Sequence, residues 1–385
     1  AGNKTAQGNQ DGNDIGDFYY TPPTGFLALC TSNLPDVAVI PSEHFNTVLY
    51  SGDNASNRAI SVGFQPNFVW HKARNDTYNH YLFDSVRGTS SLLRSNTTGA
   101  EETGTTGFNS FDADGFTVTQ VSGWEMNLAN KNYVNWNWKA NGSGSSNTTG
   151  SINSTVSVNT DAGFSIVSYT GNATAGATVG HGLSSTPEMI IIKDRSAAYD
   201  WMVGHKNYVG TPAENLKLND TSGLATADDA IGSTWNRTAF TSTVFTLGDG
   251  QGGDWTVRTN TQGSNLIAYC FHSVDGYSKV GSYVGNSSAD GVFVNTGFKP
   301  AYVMVKNTSG WGWYIHDSAR EPNNENDVFL LADSNAADSA TDNSHMDFLS
   351  NGFKLRTASI IGNGSSYTLI YIAFAETPFK YSNAN

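Results

Sequence analysis

Two aspartates and two arginines recur at one spacing and are the main candidates for acid–base chemistry. Asp84 precedes Arg87 by three residues, and Asp317 precedes Arg320 by three residues. A glycoside hydrolase holds two carboxylates across a sugar, so Asp84 and Asp317 are the acids to consider. An acid followed closely by an arginine is also the usual composition of a structural ion pair. Because the two acids stand at equivalent places of repeated segments, we interpret them as structural and expect no catalytic residue.

The other polar residues do not match a catalytic or metal-binding pattern. The glycine-rich stretch 248–254 has no lysine after it, so it is interpreted as a loop and not as a phosphate site. This stretch and residues 112–115 carry acids that could bind calcium, but neither has the full ligand loop of a calcium site. No cofactor is expected, and calcium is kept as the alternative. Four histidines lack metal-ligand spacing: His71, His181, His205 and His316.

Four tryptophans are candidates for stacking on a glycan. Trp311 and Trp313 alternate with glycine, and strand alternation would place both on one face as a platform. Trp255 and Trp124 lie in predicted loops and are second choices. The alternative for strand tryptophans is packing in a core or at a seam between domains, because aromatic rings supply much of the buried area. The strand tryptophans are Trp70, Trp136, Trp138, Trp201 and Trp313.

These residues lie on a pattern that the chain repeats three times. Each copy begins with a tyrosine, any residue and a glycine, and the starts lie 119 and 114 residues apart, at Tyr50, Tyr169 and Tyr283. Each copy later has a proline followed six residues on by a lysine: Pro66 and Lys72, Pro187 and Lys193, Pro300 and Lys306. A repeat of this length indicates similar domains along the chain.

The repeated elements are predicted to be strands. Their runs are short, rich in β-branched and aromatic residues, and bounded by Gly, Asn, Asp and Ser. We therefore predict an all-β fold: three tandem antiparallel β-sandwich repeats of jelly-roll or lectin-like type, after an N-terminal extended segment. The predicted domains are an N-terminal arm and connector (residues 1–44), repeat 1 (45–142), repeat 2 with its linker (143–276) and repeat 3 (277–385).

Composition excludes several classes of partner. The formal net charge is −13 and no cluster of Lys and Arg occurs, so nucleic-acid binding is not expected. No run reaches the ~18 apolar residues of a membrane span, so membrane insertion is not expected either. Cys30 and Cys270 are too few for a disulfide framework, and we interpret both as buried free thiols, with a bridge between them left open.

Several stretches resemble virion proteins of bacteriophages. Residues 16–35 resemble the closing segment of SPRY-type, concanavalin A-like domains, although the chain lacks the complete domain. Residues 45–52, 63–70, 136–142 and 281–286 resemble repeats in large tail-fibre-like proteins of marine phages, including cyanophages. The resemblance covers nearly the whole chain. It implies a structural virion protein and supplies no catalytic residues to carry over.

Together these features predict a non-enzymatic virion appendage protein, extracellular on the particle. It is expected to act as a spacer and host-surface adhesin of the tail-fibre or spike kind. The expected partners are other virion proteins and a host-cell glycan or protein. A homo-oligomer is expected, with a trimer favoured. The alternative is a capsid decoration or head-fibre protein, and a glycan depolymerase is the third hypothesis.

Overall fold

The computed structural model describes residues 4–28, 30, 39–211, 215–225, 234–250, 258–341 and 344–376. The chain divides into two compact units, Ala1–Ala38 with Thr377–Asn385, and Val39–Glu376. The larger unit holds every strand named below. All three predicted repeats therefore fall within one compact unit, up to Glu376. Their division into separate domains stays a prediction.

The smaller unit is organised around one aspartate. The carboxylate of Asp11 accepts hydrogen bonds from the backbone N–H of Asn13 at 2.9 Å, Ile15 at 3.1 Å and Ala28 at 2.6 Å. Asn9 and Phe18 form a single antiparallel bridge. The described residues of this unit contain no helix and no longer strand.

Each predicted repeat contains nine strands among the described residues. Repeat 1 follows a short 3-10 helix (Pro41–Glu43) and has β1 (Phe45–Ser51), β2 (Arg58–Ser61), β3 (Phe68–Ala73), β4 (Tyr81–Asp84), β5 (Ser91–Leu92), β6 (Glu102–Thr103), β7 (Phe108–Asp112), β8 (Gly115–Val118) and β9 (Asn132–Trp138). Repeat 2 has β10 (Ser145–Asn147), β11 (Ser154–Asn159), β12 (Phe164–Thr170), β13 (Thr178–Gly180), β14 (Met189–Asp194), β15 (Met202–His205), β16 (Leu216–Lys217), β17 (Val244–Thr246) and β18 (Asn265–Phe271). Repeat 3 has β19 (Ser278–Val284), β20 (Phe293–Asn295), β21 (Pro300–Asn307), β22 (Trp313–Asp317), β23 (Val328–Leu331), β24 (Ser339–Ala340), β25 (Met346–Leu349), β26 (Gly352–Leu355) and β27 (Thr368–Ala375), with one helical turn, α1 (Ile360–Asn363).

The large sheets of the three repeats share one strand order. The orders are β1-β9-β3-β4, β10-β11-β12-β18-β14-β15-β16 and β19-β27-β21-β22-β23-β24. In each, the strand that carries the repeat's tyrosine (β1, β12 or β19) pairs with the last strand of the repeat, which pairs with the strand that ends near the repeated lysine. Four smaller sheets accompany them, β2-β8-β7, β5-β6, β13-β17 and β20-β26-β25, and every ladder is antiparallel. The all-β sandwich prediction is confirmed.

Each large sheet is buried on both faces, which explains its continuous apolar runs. In β3, Val69 packs into a core of repeat 1 alone, while Phe68 and Trp70 on the other face join a second core. Val303 and Tyr302 divide in the same way in β21. The alternation follows from the two-residue period of a strand.

The second core is shared by all three repeats. Phe45 of repeat 1 stacks on Phe374 of repeat 3 at 4.8 Å between ring centroids. Phe68 stacks on Tyr269 of repeat 2 at 4.3 Å, and Phe271 meets Phe374 edge to face at 6.1 Å. The three repeats therefore pack around one common core and are not arranged as separate units in a line.

The tyrosine–glycine pattern that opens each repeat closes a strand end. The tyrosine hydroxyl donates to the carbonyl oxygen just before a buried asparagine: Tyr50 to Met126, Tyr169 to Thr259 and Tyr283 to Gly362. The asparagine oxygen then accepts from the backbone N–H after the glycine: Asn127 from Asp53, Asn260 from Asn172 and Asn363 from Asn286. Glycine is needed because a Cβ on Gly52 would lie 2.1 Å from the carbonyl oxygen of Leu128.

Candidate functional site

The two candidate catalytic acids are buried ion pairs. Asp84 ends β4, and its carboxylate lies 2.5 Å from Nε of Arg87, with both side chains fully buried. Asp317 ends β22 and lies 2.6 Å from Nε of Arg320, also fully buried. Each carboxylate also accepts the backbone N–H of its arginine, at 2.9 Å and 2.8 Å. This is the structural ion pair that the spacing predicts.

Each buried acid also joins two repeats. The Tyr269 hydroxyl of repeat 2 donates to Asp84 at 2.7 Å, and the Trp136 indole N–H of repeat 1 donates to Asp317 at 3.0 Å. Burial raises the pKa of Tyr269 well above its usual value, so the phenol keeps the proton that it donates.

A second carboxylate completes each of these two contacts. Glu101 bridges Arg87 at 3.1 Å and Arg195 of repeat 2 at 2.7 Å. In the same way, Asp338 bridges two arginines of repeats 3 and 1: Arg320 at 3.0 Å and Arg74 at 2.8 Å. The acids and bases that resemble catalytic groups are thus used to fasten repeat 1 to both of its neighbours.

The contact between repeats 2 and 3 is built differently. His205 stands where Asp84 and Asp317 stand in their sheets, and Ile372 stands where Tyr269 and Trp136 stand. The acceptor and the donor are therefore replaced together. Lys206 instead donates to the Val280 carbonyl at 3.0 Å, and Asn207 donates to the Ser282 hydroxyl at 2.8 Å.

A ring of three equivalent hydrogen bonds also closes the repeats on one another. An aromatic side chain at or just before the start of β4, β15 and β22 donates a ring N–H to a backbone carbonyl of another repeat. His80 of repeat 1 donates to Leu331 of repeat 3 at 3.0 Å, Trp201 of repeat 2 to Arg94 of repeat 1 at 2.8 Å, and Trp313 of repeat 3 to Lys217 of repeat 2 at 2.8 Å. His80 also accepts from the indole N–H of Trp70 at 2.8 Å, which fixes its protonated nitrogen as Nε2. Burial lowers the pKa of His80 well below its usual value.

The four candidate tryptophans differ in their exposure to solvent. Trp313 is fully buried in the shared core, so the expected two-tryptophan platform does not form. The reason is that Trp311 precedes β22 and has a left-handed backbone (φ 68°), so strand alternation does not apply to it. Trp311 is half-buried, and so is Trp124, whose ring contacts Tyr81 and lies 5.6 Å from the Arg94 guanidinium. Trp255 lies outside the described residues.

The strand tryptophans follow the alternative interpretation. All five belong to the core shared by the repeats: Trp70, Trp136, Trp138, Trp201 and Trp313. Aromatic residues from all three repeats also line a cavity of about 20 Å³ there, close to the size of one water molecule. Its walls are almost wholly apolar, so the shared core is a packed interior and not a ligand pocket.

Three buried lysines each hold a loop in place. The loops are residues 74–79, 195–200 and 308–312, and we call them the lysine-anchored loops. Each ammonium group donates to carbonyl oxygens in or beside its loop: Lys72 to Ala73 and Asp76, Lys193 to Asp194 and Ala197, Lys306 to Trp311 and Asp220. Burial lowers the pKa of each lysine to about 8. The repeated proline–lysine spacing is therefore a loop anchor.

Each lysine-anchored loop carries one half-buried aromatic residue. Tyr78, Tyr199 and Trp311 all stand two residues before the ring-forming His80, Trp201 or Trp313. Only Trp311 had been singled out from the sequence. Tyr78 and Tyr199 each stand two residues before the residue equivalent to Trp313. The sequence hides this equivalence because that residue is a histidine in repeat 1 and a tryptophan in repeats 2 and 3.

The chain enters and leaves the larger unit at one end. The rings of Phe45 and Phe374, at the start of β1 and the end of β27, stack on each other, and the backbone N–H of Glu376 donates to the carbonyl oxygen of Lys299 at 2.8 Å. We call this the near end. Because β1 has seven residues, its other end lies roughly 20 Å away, and Ser51 pairs there with Asn132.

All three lysine-anchored loops lie at this far end. The last residues of β1, β12 and β19 pair with Asn132, Asn265 and Thr368. The first backbone N–H of each loop donates to the carbonyl oxygen of that paired residue: Arg74 to Asn132 at 2.7 Å, Arg195 to Asn265 at 2.8 Å and Thr308 to Thr368 at 3.1 Å. The first carbonyl of each loop also accepts a backbone N–H from a neighbouring repeat: Arg74 from Asp338 at 2.6 Å, Arg195 from Glu101 at 2.9 Å and Thr308 from Leu224 at 2.6 Å. The far ends of the three repeats are therefore held together, as the near ends are.

The described residues hold no group of three or more His, Cys, Asp or Glu side chains able to bind a metal ion. In the stretch 112–115, Asp112 accepts from Thr117 at 2.6 Å and Asp114 accepts from Ser61. Of the stretch 248–254, only 248–250 is described. Burial lowers the pKa of the four candidate histidines: to about 4 for His71, His181 and His205, and to about 3 for His316.

The two cysteines are both free thiols, but only one is buried. Burial raises the pKa of Cys270 to about 12, which leaves it protonated and unreactive near neutral pH. Cys30 is exposed, so the expectation that it is buried was wrong. It lies outside any strand, in a unit that forms no apolar core among its described residues.

Comparisons with known proteins give one match. A model described as a domain of unknown function (DUF7483) matches residues 40–378, nearly the whole of the larger unit. No curated protein and no solved structure matches the chain. No helix among the described residues is long and apolar enough to cross a membrane.

Proposed function

The chain belongs to the DUF7483 family, whose function is unknown, and from its own geometry we propose that it is a structural module of a phage virion appendage that presents a host-binding end. The observation that carries this proposal is that the chain's two connections to the larger unit lie at one end of that unit. The chain enters and leaves the larger unit at the near end, and the lysine-anchored loops lie roughly 20 Å away. Such a module projects from its attachment and leaves the far end free to make contacts.

This geometry favours an adhesin over an in-line spacer. A spacer transmits length when the chain enters at one end and leaves at the other, whereas here both connections share one end. Rigidity is supplied by the shared core and by the buried bonds of Asp84 and Asp317 to neighbouring repeats. The virion location rests on the resemblance of residues 16–35 and of the repeats to phage proteins.

A non-enzymatic role is part of the proposal. Asp84 and Asp317 are fully buried and paired, so neither carboxylate is offered to a substrate. Partners are proposed to be other virion proteins at the near end and a host glycan or protein at the far end. A trimer stays a prediction, and sedimentation of the purified chain tests it.

The test is competition for adsorption. Purified chain is added to host cells before the phage that encodes it, and adsorption is measured together with gold labelling of particles by an antibody to the chain. An adhesin lowers adsorption and is labelled at the tail. Labelling over the capsid with no competition would instead support a decoration or head-fibre protein. Release of reducing ends from host polysaccharide would support a depolymerase.

A further inference from the structure

The three lysine-anchored loops offer one aromatic ring each at the same end of the molecule. The rings belong to Tyr78, Tyr199 and Trp311, and each is half-buried. The Arg258 guanidinium lies over one face of the Tyr199 ring, 5.6 Å from its centroid, so a sugar would meet the other face. The loops differ in most other positions, and the loop of repeat 3 is one residue shorter, yet an aromatic residue stands two places before the ring-forming residue in every one. We propose that these three residues form three glycan-stacking subsites that together bind a neutral polysaccharide; this rests on the adhesin function proposed above.

The loops are held rigid before any ligand arrives. The buried ammonium groups of Lys72 and Lys193 each donate to one carbonyl within the loop and to the carbonyl just before it, and Lys306 donates to the carbonyl of Trp311 itself. A loop that is already ordered loses little conformational entropy on binding, so more of the contact energy remains as affinity.

Trp311 adopts a backbone conformation that bulky residues avoid. Its φ is 68°, and Gly310 before it has a φ of 141°. A left-handed conformation at a bulky residue is uncommon and persists where the surroundings fix it. Here the Lys306 bond and an edge-to-face contact with Tyr367, at 5.9 Å between centroids, hold the indole in its half-exposed position.

The charge at the far end favours a neutral ligand. The charged side chains within the loops of repeats 1 and 2 all form ion pairs, and the remaining exposed loop residues are mainly Asn, Ser and Thr. The net charge of −13 also opposes binding of acidic polymers. The ion pairs are Arg74 with Asp338, Lys131 with Asp76, Arg195 with Glu101 and Lys217 with Asp200.

Room for a sugar exists beside the first loop. A shallow surface pocket of about 300 Å³ is lined by Leu49, Tyr50, Ser51, Arg74, Asn132 and Tyr133. Arg74 belongs to the loop that carries Tyr78, whereas the rings that line the pocket itself are those of Tyr50 and Tyr133. Amide and hydroxyl groups beside an aromatic ring suit a sugar, because the ring contacts its apolar face and the polar groups bond its hydroxyls.

Three subsites on one body imply avidity. A repeating polysaccharide that reaches two or three rings at once binds far more tightly than one ring alone, by roughly 10²–10⁴-fold for linked sites. Loss of a single ring therefore weakens binding to a polymer strongly, while binding to a short oligosaccharide stays weak throughout.

The test is binding of the full chain to a panel of immobilised neutral and sulfated polysaccharides, including dextran, mannan, agarose and dextran sulfate. Wild-type chain is expected to bind at least one neutral polymer. The triple variant Tyr78→Ala, Tyr199→Ala, Trp311→Ala is expected to lose about 100-fold or more in apparent affinity. The aromatic variants Tyr78→Phe, Tyr199→Phe and Trp311→Phe are expected to keep binding and report that the fold is intact. Phe293→Ala, which removes an exposed aromatic side chain on β20, outside these loops, is the matched control.

Three results would overturn the inference. They are unchanged binding by the triple variant, loss of binding with Phe293→Ala alone, and preference for dextran sulfate over every neutral polymer. Wild-type chain that binds no polysaccharide but still blocks phage adsorption would also overturn it and would leave the adhesin function standing. Failure in both assays would remove the adhesin function as well.

Discussion

Replacing Asp317 by asparagine should destabilise the whole larger unit and not repeat 3 alone. Asp317 and Arg320 are fully buried 2.6 Å apart, and Asp317 also accepts the Trp136 indole N–H of repeat 1. Breaking a buried ion pair costs about 3–5 kcal/mol because the remaining charge is left uncompensated. Arg320 keeps Asp338 at 3.0 Å, so we expect about 3 kcal/mol, or roughly a 150-fold change in the unfolding equilibrium constant.

The assay is urea denaturation followed by tryptophan fluorescence, with hydrogen exchange measured on strands of each repeat. One shared core predicts that exchange from β14 in repeat 2 accelerates as much as exchange from β21 in repeat 3, because both exchange through the same unfolding event. The matched control is Asp290→Asn, which changes a carboxylate of the same repeat that is 82% exposed and pairs with Lys354 at 2.9 Å. An exposed pair is screened by solvent and contributes little to stability. Acceleration confined to repeat 3, or equal effects of the two variants, would refute the reasoning.

Three further predictions follow from local contacts. Between pH 8 and 10 the free energy of unfolding should rise by up to about 1.4 kcal/mol per pH unit for each of Lys72, Lys193 and Lys306. The reason is that burial lowers the pKa of these folded lysines to about 8, whereas the unfolded lysines still bind protons in this window. Urea titrations from pH 7 to 10 measure this rise, and a flat profile would contradict it. Gly52→Ala should lower the urea midpoint clearly, because its Cβ would meet the Leu128 carbonyl at 2.1 Å, whereas Gly99→Ala, whose nearest atom is 3.6 Å away, should not; equal midpoints would contradict this. Iodoacetamide should modify Cys30 and spare Cys270 in the native protein, as peptide mass spectrometry will report, and rapid modification of Cys270 would contradict its burial.

The sequence predicted the strands well because their signal is local. Strand runs such as β3 and β21 are apolar and β-branched or aromatic, and turn residues bound them. The ion pairs of Asp84 and Asp317 were also predictable, because each arginine follows three residues later. A one-dimensional pattern could not show that both faces of β3 are buried, since continuous apolar runs do not say what covers them.

The site depends on contacts that are distant in sequence. Tyr269 lies 185 residues from Asp84, and Trp136 lies 181 residues from Asp317, so neither pairing leaves a local signal. The platform expected from Trp311 and Trp313 does not form for a local reason. β22 begins only at Trp313, so strand alternation does not extend to Trp311, two residues earlier. Tyr78 and Tyr199 were missed because their role depends on the shared orientation of three loops.

The central claim is that the three repeats form one body with the three lysine-anchored loops at one end. The most direct test measures the distances between those loops. Spin labels at Asn75→Cys, Ser196→Cys and Ser309→Cys, all exposed loop positions, are compared in pairs after Cys30→Ser. Packing around a shared core predicts three narrow distance distributions with similar means. Broad distributions, with the pair at residues 75 and 309 much the farthest apart, would mean that the repeats follow one another along the chain and would contradict the shared core.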